Sequence, residues 1–101
     1  MNNSLMRVTV SELCERQGVN YRLVMQLVEL EIAYPVEGDR VENWVFDATG
    51  ALWLEKALRL QRELELDWVA IGMLIDLMRQ RERLRRENEG LRRQLSRFFA
   101  S

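Results

Sequence analysis

The sequence has no histidine, one lysine (Lys56), one cysteine (Cys14) and one proline (Pro35). Each shortage closes off a class of function. Without histidine there is no Ser–His or Cys–His pair, and no glycine-rich phosphate loop is present, so nothing supplies a general base or an activated nucleophile. The chain reads as a non-enzyme with no cofactor. A metal centre needs more ligands than one thiol. A lone cysteine makes no internal disulfide, which agrees with a reducing compartment, and Cys14 reads as a small buried hydrophobe on the first helix. No apolar run is long enough to cross a bilayer and no signal peptide precedes Thr9; the expectation is a soluble, cytoplasmic protein with no membrane contact.

What is present is apolar and charged. Hydrophobic residues make up 48% of the 101, too many for a disordered chain. The net charge of −1 hides a division. Through Gly50 eight carboxylates face four arginines, a balance of −4; from Ala51 onward eleven basic residues face eight acidic ones, a balance of +3. An acidic head and a basic tail invert the charge layout of a simple DNA-reading module.

In chain order, the first eight residues lead into a short extended piece from Leu5 to Val8. Thr9-Val10-Ser11-Glu12 has the spacing of a capping box, in which hydroxyl and carboxylate each satisfy a backbone N–H, with Val8 and Leu13 placed for the hydrophobic staple. A helix from Val10 to about Arg16 should stop at Gly18. Asn20 can cap a second helix, Tyr21 to Leu30, with Leu23, Leu27 and Leu30 on one stripe. Two helices around a tight glycine turn outline a helix-turn-helix. Tyr34-Pro35 ends that unit. Val36 to Phe46, flanking Glu37-Gly38-Asp39-Arg40, reads as a small hairpin or irregular wing. Asp47 caps a third helix, Ala48 to Leu64, whose core face is Leu54, Ala57, Leu58, Leu60 and Leu64. Asp67 caps a fourth, Trp68 to Arg97, roughly 45 Å long at 1.5 Å per residue. Trp68, Ile71, Leu74 and Ile75 should pack its first turns onto the head. Trp44, Trp53 and Trp68 read as core, tying the wing to the last two helices; any one left partly exposed becomes an interface anchor.

The fold class is therefore mainly α: a winged helix-turn-helix head over residues 1–66, and a long C-terminal helix over 67–101. That helix carries leucines at seven-residue spacing, Leu77, Leu84 and Leu91, followed by Phe98. A second column reads Leu74, Arg81, Asn88 and Leu95. Two such columns make the seam of a coiled coil, and nothing else in the chain is long enough to cover it. A second copy should, giving a homodimer, with Asn88 setting register and Arg81 snorkelling to water. The tail arginines, interleaved with glutamates at Glu82–Arg86 and Glu89–Arg93, read as the solvated flank of that coiled coil rather than a nucleic-acid patch.

The second helix carries one cation, Arg22, and ends in Glu29 with Glu31 beyond it. The wing adds Glu37, Asp39 and Glu42 against Arg40. Docked on DNA, this surface would bring carboxylates to phosphates, so the charge argues against nucleic acid and for a basic protein partner.

These residues carry two resemblances. Thr9-Val10-Ser11-Glu12-Leu13-Cys14 through Gly18-Val19 to Pro35 resembles the helix-turn-helix of MerR-type regulators, except that the second helix has Leu23-Val24-Met25-Gln26 in place of basic and aromatic residues. More closely, and over nearly the whole chain, Trp44-Val45-Phe46-Asp47, Arg59-Leu60-Gln61-Arg62-Glu63-Leu64-Glu65-Leu66-Asp67-Trp68, Glu87-Asn88 and Leu91-Arg92-Arg93-Gln94-Leu95-Ser96-Arg97-Phe98 look like the signature of the chaperone modulator CbpM family. That resemblance implies a modulator that binds the J-domain of the DnaJ-like co-chaperone CbpA and inhibits it by competing with DnaK. Glu12, Glu15, Tyr21, Arg22, Glu29, Glu31, Glu37, Asp39 and Glu42 are the expected contacts, and the long helix is the other surface able to hold a J-domain. The alternatives are a MerR-like DNA-binding transcriptional regulator and a coiled-coil scaffold, which would leave the elaborate head without a purpose.

Overall fold

The computed structural model describes residues 6–100. Its order is β1 (Arg7–Thr9), α1 (Val10–Gln17), α2 (Tyr21–Glu29), a turn of 3-10 helix at Val41–Asn43, β2 (Val45–Asp47), α3 (Ala48–Leu64) and α4 (Trp68–Ala100). Part of the extended piece expected from Leu5 lies outside the described residues.

Each strand runs directly into a helix because its last residue is also an N-cap. Thr9 Oγ1 accepts from the Glu12 N–H at 3.1 Å, and Asp47 Oδ1 from the Gly50 N–H at 2.8 Å. The capping box is modified: the Glu12 carboxylate accepts from the Thr9 hydroxyl itself. Asn20 and Asp67 cap α2 and α4 in the same way, accepting from Leu23 and Ala70. A side-chain oxygen satisfies one otherwise orphaned N–H at the start of each α-helix.

Helix ends are less regular. Gly18 takes the left-handed conformation after α1 (φ 68°), as the sequence implies, but Glu31 and Glu65 do the same at φ 63° and 54° without glycine's freedom. At Glu31 the reason is visible. Its N–H bonds the Val28 carbonyl and the Ile32 N–H reaches back to Leu27, a Schellman closure sealed by the buried pair Leu27 and Ile32.

β1 and β2 pair antiparallel, with Val8 opposite Phe46. The wing is the irregular alternative rather than a hairpin ladder: Glu37 makes a single bridge to Val45, and the 3-10 turn fills the rest. Gly38 (φ 96°) permits that close approach, because a Cβ there would lie 2.9 Å from the Trp44 nitrogen and collide with the Asn43 carbonyl.

Fully buried Phe46 joins Val10, Leu13, Val24, Leu27, Ile32, Leu54, Ala57, Ile71 and Ile75 in one core. All three tryptophans are half-buried against it, Trp44 meeting Phe46 edge to face at 6.3 Å. Cys14 is buried, and desolvation pushes its thiol pKa up. Some positions differ from the expected core: Leu64 is exposed at the last turn of α3, and Leu60 and Leu74 are only half-buried. α4 is docked by Ile71 and Ile75 and held by Arg79, which donates to the Glu31 carbonyl at 2.9 Å and lies over the Trp53 ring at 5.0 Å. Beyond Glu82 every residue on it except Gly90 is exposed, and the helix continues to Ala100, past the expected end at Arg97.

Candidate functional site

The fold presents two surfaces, one on the head and one on α4. On the head, Val24 and Leu27 turn α2 inward, which leaves Arg22, Met25, Gln26 and Glu29 facing out. Glu12 and Glu15 lie exposed on α1, Tyr21 opens α2, and Glu37, Asp39 and Glu42 are exposed along the wing. The 3-10 turn that carries Glu42 packs against both α1 and α2, so wing and helices form one continuous surface. Glu31 sits apart, beyond the end of α2. Its carboxylate meets the Tyr34 hydroxyl, whose pKa is pushed up by lost hydration and by that charge. The outward face of α2 thus holds one cation among exposed polar and apolar side chains.

On α4, helical geometry sets residues two apart on nearly opposite sides. Burying Ile71 and Ile75 therefore turns Val69, Met73 and Leu77 outward, 62%, 65% and 61% exposed. Leu84 and Leu91 (59% each), Leu95 (56%) and Phe98 (74%) continue the stripe, with Phe98 and Phe99 edge to face at 5.4 Å. Arg81 and Asn88 lie exposed beside it, while Leu74 falls between the stripe and the docked face. Val69 and Met73 were not among the sequence-derived seam residues. Their four-residue steps to Leu77 carried the signal, masked by the alternation with the core residues of the same turns.

The flank of α4 holds an ion-pair chain: Glu82 with Arg85 at 2.7 Å and Arg86 at 3.3 Å, and Arg85 with Glu89 at 2.9 Å. Glu89 pairs with Arg85 rather than with the expected Arg93. Hydrogen bonding from Arg85 holds the Glu82 carboxyl below its ordinary pKa, and the same bond raises that of Arg85.

A capped helix-turn-helix, an irregular wing, a linking helix and a long terminal helix define a MerR-type architecture, and the model of the MerR HTH family of regulatory proteins matches residues 8–93. Relatives narrow this further. Chaperone modulatory protein CbpM of Citrobacter koseri is 38% identical over 99 residues, covering 98% of this chain and 97% of that protein. The CbpM of Salmonella arizonae is 38% identical over 100 residues (99% and 98%), and that of Salmonella paratyphi B is 37% identical over 100 (99% and 98%). The chain belongs to the CbpM family of chaperone modulatory proteins, a branch built on the MerR helix-turn-helix.

Proposed function

We propose that this protein is a homodimeric modulator that binds the J-domain of a CbpA-type, DnaJ-like co-chaperone and inhibits it by occupying the surface that DnaK needs. Family membership supports the chaperone-directed role. The observation that carries the choice of surface is the outward face of the head, where Glu12, Glu15, Glu29, Glu37, Asp39 and Glu42 are exposed. An acidic surface steers and orients a basic partner. Dimerisation rests on the stripe from Val69 to Phe98, too long and too apolar to be left in water when no other helix among the described residues covers it.

Calorimetric titration of the protein into the isolated J-domain, at low and moderate salt, tests the reading. Saturable binding that weakens with salt is expected, and the charge reversals Glu12→Lys, Glu29→Lys and Glu42→Lys should each reduce it. Binding indifferent to salt and to those reversals would move the contact to α4. No binding at either salt would restore the second reading, a DNA-binding regulator, which the MerR family match favours and the sparse cations of α2 oppose.

A further inference from the structure

The head and the stripe leave a third feature unused. α3 and α4 pack together, and a groove of about 820 Å³ lies between them. Leu52, Trp53 and Met78 give it an apolar floor, and Arg59, Arg62 and Arg81 stand on its walls. The carboxylates that line it are already engaged, Glu55 with Arg16 at 2.9 Å and Glu82 with Arg85 and Arg86. Arg59, Arg62 and Arg81 have no acidic partner among the described residues, so the groove carries uncompensated positive charge around exposed Leu52.

We propose that this groove docks an acidic polypeptide segment of a partner protein, one that places an apolar side chain against Leu52 and Met78 and its carboxylates on Arg59, Arg62 and Arg81. The proposal goes beyond the acidic head and its basic partner, and concerns a separate surface of opposite charge. Guanidinium groups pair with carboxylates through two parallel hydrogen bonds, a geometry open to each of the groove's three unpaired arginines. A small anion would leave the apolar floor uncovered. Single-stranded nucleic acid would need an open aromatic platform, and the ring of Trp53 already carries the cations of Lys56 (5.6 Å) and Arg79 (5.0 Å). A second copy lying along the stripe does not fill the groove, because Met78 and Glu82 belong to the side of α4 that faces the head; Arg81 alone stands on the border between groove and stripe.

The test uses the full chain and fluorescence anisotropy of a labelled short peptide of glutamates around one leucine. Its controls are the same peptide with alanine for leucine, the glutamine counterpart, and oligothymidylate of matched charge. Saturable binding is expected, weakened by about tenfold or more when Arg59→Glu and Arg62→Glu are combined, and weakened too by Leu52→Ser or by loss of the peptide's leucine. All three positions are exposed, and circular dichroism confirms that the variants keep the fold. Absence of saturation, equal affinity of the variants, indifference to the leucine, or tighter binding of oligothymidylate would each overturn the proposal.

Discussion

Phe46 shows how much one side chain carries in so small a head. It is fully buried on a three-residue strand, under Trp44 and beside the first turn of α3. Phe46→Ala should cost about 3–5 kcal/mol, comparable to the whole stability of a domain of this size. Urea titration followed by circular dichroism should find the head unfolded, or nearly so, without denaturant; a midpoint close to that of the parent chain would contradict the packing described. Gly38 makes a different demand. Its positive φ and the nearby Asn43 carbonyl leave no room for a methyl group, so Gly38→Ala should disorder the wing more than it destabilises the core. Hydrogen exchange at the Val45 N–H, which bonds the Glu37 carbonyl, is the readout, with protection lost there and kept at Val24.

Among the elements, helix starts were legible in the sequence and helix ends were not. Thr9, Asn20, Asp47 and Asp67 announce their caps because a cap is a local bond across three residues. Glu31 and Glu65 give no such notice, since each takes a conformation that glycine would normally supply, at Glu31 through the Leu27–Ile32 closure. Glu65→Gly should therefore raise stability, by up to about 1 kcal/mol, read as a shift of the thermal midpoint. The β1–β2 pairing was hidden because it joins segments far apart in the chain, and the expected hairpin partner of β2 makes only one bridge. The stripe and the groove divide the same way. Seven-residue spacing exposed the distal stripe, whereas the basic groove arises from two helices that only the fold brings side by side. Acid should act on α4 first. Glu82 binds protons less readily in the folded chain than in the unfolded one, so its ion pairs contribute above the unfolded carboxylate pKa and fade as pH falls through the depressed folded value. Helicity of α4 should drop in that acid window before the core unfolds.

For the whole molecule, 56 × 32 × 20 Å across, the asymmetry between a packed head and an extended helix is the dominant fact. Leu84→Glu would place a carboxylate in the middle of the stripe and touch nothing in the head. Sedimentation equilibrium should find that variant monomeric while the wild-type chain is dimeric, with near-ultraviolet circular dichroism of the head unchanged. An unchanged mass would remove the stripe from the interface.

The far half of α4 buries no side chain against its own chain, and in proteins most helical stability comes from packing an amphipathic face. In the proposed homodimer its order is then a collective property, supplied by the copy that lies along it. Dilution alone should unwind it from the Ala100 end while the head stays intact, so the supply of this protein would govern not only how many molecules are present but how much of each one is folded.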